Sequence, residues 1–146
     1  MKKVNDILHA KHAGETFSVT PDTLVFDAIK LMSEKGIGAL VVMENSQVVG
    51  IVSERDYLRK VSLMGRSSHA TEVRDIMTPN PITVGVDQRM EACIELMTEK
   101  RIRHLPVIED SQLVGIVSIG DLLRNVMEEQ NKLIKQLESY MRGETY

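Results

Sequence analysis

The sequence predicts an α/β protein of the α+β kind: two pseudo-symmetric β-α-β-β-α repeats packed through their sheets, plus a C-terminal amphipathic helix. Three observations carry this. Residues 16–59 lie over 81–124 without a gap, so that "DAIKLMSEKGIGALVVMENSQVVGIVSERDYLR" covers "ACIELMTEKRIRHLPVIEDSQLVGIVSIGDLLR", and the chain is an internal duplication. Within each copy the hydrophobic period switches between strand and helix in a fixed order. The 146 residues, 42% apolar and 27% charged, can bury a real interior, but a unit of about 60 residues buries too little alone, so the two copies must pack together.

The elements follow in order. A short echo precedes each copy, "VNDIL" at 4–8 and "VRDIM" at 73–77, with four more residues intervening in the first copy. "TFSVT" and "PITVG" read as short extended segments. "LVFDAIKLMSEK" places Val25, Ala28, Ile29 and Met32 on one helical face, and Gly36 is a natural stop just past its end. The apolar runs "IGALVVM" and "VVGIV", joined by the polar "ENSQ", read as a hairpin. After Ser53 the pattern turns helical again through "RDYLRKVSLM", then loosens into "GRSSHATE". The organisation is therefore repeat 1 over 4–64, a connecting loop over 65–72, repeat 2 over 73–127 and a helical extension over 128–146. In that last helix Leu123, Val126, Met127, Leu133, Ile134, Leu137, Tyr140 and Met141 recur at three and four spacing. This apolar face is expected on a neighbouring subunit or on the chain's own first copy.

Several classes are excluded. A net charge of −3, with no basic stripe or arginine-rich arm, gives no general attraction to nucleic acid or anionic lipid. No apolar run approaches the ~20 residues of a membrane helix. The lysine-led N-terminus lacks the apolar stretch of a secretory signal, so a cytoplasmic location is expected. The single cysteine, Cys93, allows no internal disulfide and reads as a small buried hydrophobe.

Ser53-x-x-Asp56 and Ser118-x-x-Asp121 stand where a strand runs into a helix. Serine followed three residues later by an acid is the pattern of a capping box. A second role is open, because the positive helix end then lies at the edge of a sheet, where an anionic ligand is favoured. Aspartate is also shorter than the usual glutamate of the box, which leaves its carboxylate freer to accept from outside. Positive charge gathers in "EKRIRH" at 99–104. Acceptors for a sugar diol and donors for a phosphate are thus neighbours, which are the requirements of a nucleotide; charge-assisted bonds to ribose hydroxyls are worth ~1.5–3 kcal/mol each. Arg103 and His104 are the expected phosphate donors, although Lys100, Arg101 and Arg103 read equally well as a solvated rim. In the first copy Gly38 and Ala39 replace Arg103 and His104, and Arg55, whose counterpart is Gly120, compensates in part. Pro106 makes its strand an edge or removes one ladder bond. On these grounds Asp121 is the better-equipped pole.

The repeated "h-P-V-h-E/D…h-h-G-I-V-S-x-x-D" pattern, carried by "RIRHLPVIEDSQLVGIVSIGDLL" and, with Val41 in place of proline, by "GIGALVVMENSQVVGIVSERDYL", resembles a tandem CBS-domain pair, or Bateman module, standing alone. The "DIMTPNPITV" lead-in matches too, and the likeness covers about residues 4–127. It implies an adenosyl ligand (AMP, ADP, ATP, NAD or S-adenosylmethionine) in clefts between the repeats, its ribose held by the aspartate. One site is then expected to join Ser118, Gly120, Asp121, Arg103 and His104 to Thr20, Thr23, Ala28, Ile37 and Gly38. The other is expected to join Ser53, Arg55 and Asp56 to Thr83, Gln88, Cys93, Ile102 and Arg103. The resemblance also implies a homodimer through helical faces, which the C-terminal helix would strengthen, and a regulated partner protein.

The leading expectation is a non-catalytic nucleotide sensor, and the alternative is an oligomerisation scaffold with empty clefts. No catalytic cofactor is expected. An enzyme is disfavoured because neither Gly-x-x-x-x-Gly-Lys-Ser/Thr nor Gly-x-Gly-x-x-Gly occurs and no Cys/His nucleophile arrangement appears. His9 and His12 alone lack a third metal ligand.

Overall fold

A computed structural model describes residues 2–10 and 16–143; His12 falls outside them. The order of elements is α1 (Val4–Ala10), β1 (Ser18–Val19), α2 (Val25–Lys35), β2 (Ala39–Glu44), β3 (Gln47–Ser53), α3 (Glu54–Tyr57), β4 (Thr78–Pro79), α4 (Met90–Lys100), β5 (His104–Glu109), β6 (Gln112–Ser118) and α5 (Ile119–Met141). A π-helical stretch over Leu58–Ser62 continues α3. This is the mixed α/β architecture the duplication predicts, with the long C-terminal helix in place.

Each hairpin is built alike. β2 and β3 pair antiparallel with a register shift at Val42/Met43, and β5 and β6 repeat it with a shift at Val107/Ile108. The turns put Asn45 and Ser46, then Asp110 and Ser111, at positive φ, as a two-residue hairpin turn of the I′ type requires. β1 runs parallel to β2. In the second copy Val84 alone bridges Val107 in the same sense, its amide donating to the Pro106 carbonyl at 3.0 Å. β5 is therefore flanked on both sides, and Pro106 removes a ladder bond rather than marking an edge.

Two cores result, and each contains a piece of the other copy. Val25, Ala28, Met32, Leu40, Val42 and Val52 of the first copy close over Val73 and Ile76, from the lead-in of the second. Met90, Cys93, Met97, Leu105, Val107 and Val117 close over Val4, Ile7 and Leu8, from the lead-in of the first. The backbone fixes this exchange with matching bonds: Val73 and Arg74 amides donate to the Thr23 and Pro21 carbonyls, and Val4 and Asn5 amides donate to those of Gln88 and Val86. Glycines make room for it. A Cβ on Gly50 would lie 2.5 Å from Met77 Sδ, and one on Gly115 would lie 2.8 Å from Leu8 Cδ2.

The connecting loop is held by its backbone. The carbonyls of Thr71 and Ser68 accept from the first amides of α2, at Val25 (2.8 Å) and Phe26 (3.0 Å). Neither α2 nor α4 has a side-chain N-cap bond, so these carbonyls satisfy donors that would otherwise be orphaned. Lys2 does the same for α4, accepting from Met90 at 3.1 Å. His69 stacks on Phe26 with ring centroids 4.1 Å apart.

Candidate functional site

Both Ser-x-x-Asp pairs form the reciprocal box. The Ser53 amide donates to Asp56 Oδ2 at 2.9 Å and the Asp56 amide to Ser53 Oγ at 3.3 Å; at Ser118 and Asp121 the distances are 2.9 and 3.1 Å. Aspartate is long enough to close it, so the carboxylates are less free than their length suggests. One oxygen of Asp56 faces the box, and the other lies 3.2 Å from Lys60 Nζ. Lys60 also donates to the Ile76 carbonyl at 2.8 Å, tying the helix to the exchanged lead-in.

Asp56 lies on the wall of a cavity of about 510 Å³, a size proper to a small-molecule site. The first copy contributes Gly38, Ile51, Ser53, Arg55 and Arg59, and the second Arg101, Ile102, Arg103 and His104. Thr78, Asn80, Pro81 and Ile82, which follow the second lead-in, complete it. A Cβ on Gly38 would stand 3.3 Å from Glu54 Oε1 and 3.7 Å from His104 Nε2, so a larger residue here would narrow the space between the two walls.

The basic residues therefore gather at the opposite pole from the one the sequence favours. Arg103 immediately precedes β5 and His104 begins it, opposite Ser118 in the β5–β6 ladder. Both nevertheless line the cavity of Asp56. Asp121 lines a recess of about 60 Å³ with Ile7, Ala10, Arg124, Asn125 and Glu128. Arg124 Nη1 lies 3.6 Å from Asp121 Oδ1, and α1 lies against this end. Gly120 is uncrowded, an added Cβ meeting Ser118 Oγ at 3.6 Å, an ordinary van der Waals contact.

Other expected residues sit elsewhere. Ala28 and Cys93 are fully within the two cores, and burial pushes the Cys93 thiol up, which keeps it protonated at neutral pH. Thr20 and Thr23 bind one another before α2: the Thr20 amide donates to Thr23 Oγ1 at 3.1 Å, and the Thr20 hydroxyl bonds Asp22, holding that carboxyl below its ordinary value. Ile37 packs on the first core. Thr83 and Gln88 are exposed and do not line the cavity; the exchanged α1 takes the Gln88 carbonyl. Arg59, Lys60, Asn80 and Ile82 escape the sequence reading. Lys60, four residues after Asp56, and Arg59, four after Arg55, do carry a signal in helical spacing; Asn80 and Ile82 reach the site only through the exchange. Among the described residues no group of three or more His, Cys, Asp or Glu side chains is placed to hold a metal ion, and no helix is long and apolar enough to cross a membrane.

Known proteins share this fold. The CBS domain matches residues 5–63 and 73–128. The CBS domain-containing protein CBSX3, mitochondrial, of Arabidopsis thaliana is 41% identical over 96% of this chain and 72% of its own. A structure of a CBS-domain protein from Burkholderia ambifaria superposes with a TM-score of 0.85 at 48% identity, over 88% of this chain and 96% of that one. The structure of CBSX2 in complex with AMP has a TM-score of 0.71 at 26% identity, over 88% and 98% of the two chains. With two matched domains covering most of its length on a shared fold, the chain belongs to the CBS-domain family.

Proposed function

We propose that this protein is a non-catalytic regulatory module that binds an adenosine nucleotide between its two halves. The observation that carries this reading is the cavity itself: a carboxylate at a helix start on one copy faces a basic turn of the other across about 510 Å³. Asp56 accepts the ribose hydroxyls in place of its own serine hydroxyl. Ile51, Pro81, Ile82 and Ile102 supply apolar walls for a base, and the arginines take the phosphate. The AMP found with CBSX2 supports an adenosyl ligand in this fold. The narrower recess at Asp121 is the weaker site. A ligand touching both copies favours one relative packing of the halves, and a partner preferring that packing reads it.

Calorimetry of the full chain with AMP and ATP tests this. We expect Asp56→Asn, which keeps an acceptor for the cap, to weaken binding ten- to a hundredfold, as loss of a charge-assisted bond of about 1.5–3 kcal/mol implies. Unchanged affinity in that variant, with melting behaviour intact, removes Asp56 from the site.

A second observation favours a homodimer. On α5, Leu123, Met127, Leu133, Ile134, Leu137, Tyr140 and Met141 are all more than half exposed, although the helix is 23 residues long. Leu123, Met127, Gln130, Ile134, Leu137 and Met141 alternate four and three apart, the heptad seam of paired helices. Set antiparallel against a second copy, this seam pairs Leu123 with Met141 and Met127 with Leu137. Arg124 then faces Glu138 of the other helix at both ends.

A further inference from the structure

We infer that the Asp56 cavity selects ligands carrying two or more phosphates, a nucleoside di- or triphosphate, over a monophosphate or a sulfonium ligand. This rests on the nucleotide-binding reading above and adds the class of ligand to it.

Four guanidinium groups border one cavity: Arg55 and Arg59 on α3 and its continuation, and Arg101 and Arg103 before β5. Among the described residues none of the four forms an ion pair, whereas Asp56 already has Lys60. Glu54 is the one other carboxylate on the lining. The cavity thus holds a surplus of positive charge in a chain whose net charge is −3. A single phosphate dianion meets only part of that surplus, and a second or third phosphate meets the rest through further charge-assisted bonds. S-adenosylmethionine offers one carboxylate against a sulfonium and an ammonium, so it carries a net positive charge into the same field and is disfavoured.

The chain's own duplication shows that this charge is not needed for the fold. Gly36, Ile37, Gly38 and Ala39 in the first copy occupy the places of Arg101, Ile102, Arg103 and His104 in the second. Arg101 stands at the C-terminal end of α4 with φ 55°, where Gly36 has φ 65°. That left-handed position favours glycine, so arginine there is conformationally unfavourable. Arg55 and Arg59 are also a like-charged pair four apart on a helix, which is unfavourable without a counter-ion. Both local costs fall on residues that face the cavity. At the other pole Gly120 stands where Arg55 stands at this one, and the recess there is lined by a single guanidinium, Arg124, beside the acids Asp121 and Glu128. The two ends of the molecule therefore differ in phosphate capacity by construction of the sequence.

The test is calorimetry of the full chain with AMP, ADP, ATP and S-adenosylmethionine at two salt concentrations. ATP binding at least tenfold tighter than AMP at low salt, with the gap narrowing as salt rises, supports the inference. Arg101→Gly/Arg103→Gly, which copies the first repeat's own turn, is expected to collapse the ATP-to-AMP ratio toward one, and a melting curve confirms that the variant is folded. AMP or S-adenosylmethionine binding as tightly as ATP overturns the inference while leaving the nucleotide-binding reading intact. Failure of all four ligands to bind overturns both.

Discussion

At the level of single residues, function and folding compete for the same atoms. Asp56 closes a cap, pairs with Lys60 and faces the cavity; its carboxylate is oriented before any ligand arrives, which lowers the entropy lost on binding. The counterpart of Lys60 is Asn125, which is buried with Oδ1 finding no hydrogen-bond partner among the described residues. The two poles thus differ behind the aspartate as well as in front of it. Gly115 shows the same sensitivity to single atoms. We expect Gly115→Val, which must displace Leu8 from 2.8 Å, to cost about 1–3 kcal/mol in urea unfolding, the range for an overpacked core. Leu8→Ala should cost less in the Gly115→Val background than alone, and additivity of the two would show that they do not meet. Ser53, Asp56, Ser118 and Asp121 are legible in the sequence because they recur at one offset. The placement of His104 is not, since a residue starting a strand gives no sign of which cleft its side chain enters; Arg103 and Ile102 stand at Asp56 as the resemblance implies.

At the level of elements, helices and hairpins are readable because burial on one face imposes a local period. Gly36, the I′ turns and the apolar face of α2 all fall where that reasoning puts them. The exchange of lead-ins is not readable this way. "VNDIL" and "VRDIM" look identical as local patterns whichever core they enter, and contacts between segments so far apart leave no periodic mark. The seam on α5 is legible, but only the structure shows its side chains exposed. We expect Leu137→Glu to convert the proposed dimer to a monomer in analytical ultracentrifugation by placing a charge at an apolar seam position. A monomeric parent chain, or an unaffected dimer, would remove α5 from the contact.

At the level of the whole molecule, the exchange makes two small cores into one cooperative body. Neither half retains a complete interior without a segment of the other. Cys93, the single cysteine and fully buried in the second core, is a built-in probe of this. Alkylation of Cys93 under native conditions should be slow in the full chain and fast in a chain lacking residues 1–10, whose loss uncovers the core around Val84, Met90 and Val117. Equal rates in the two would show that α1 is dispensable to that core.

The same exchange sets an order of events during synthesis. The lead-in "VNDIL" leaves the ribosome before the segments that complete its docking site, β6 and the start of α5. The first core, in turn, waits for Ile76 and Met77. Segments made early can close only onto partners already made; Val4, Ile7 and Leu8 therefore stay unsatisfied until Val117 and Leu122 have appeared, and the second core closes only after both copies have been made.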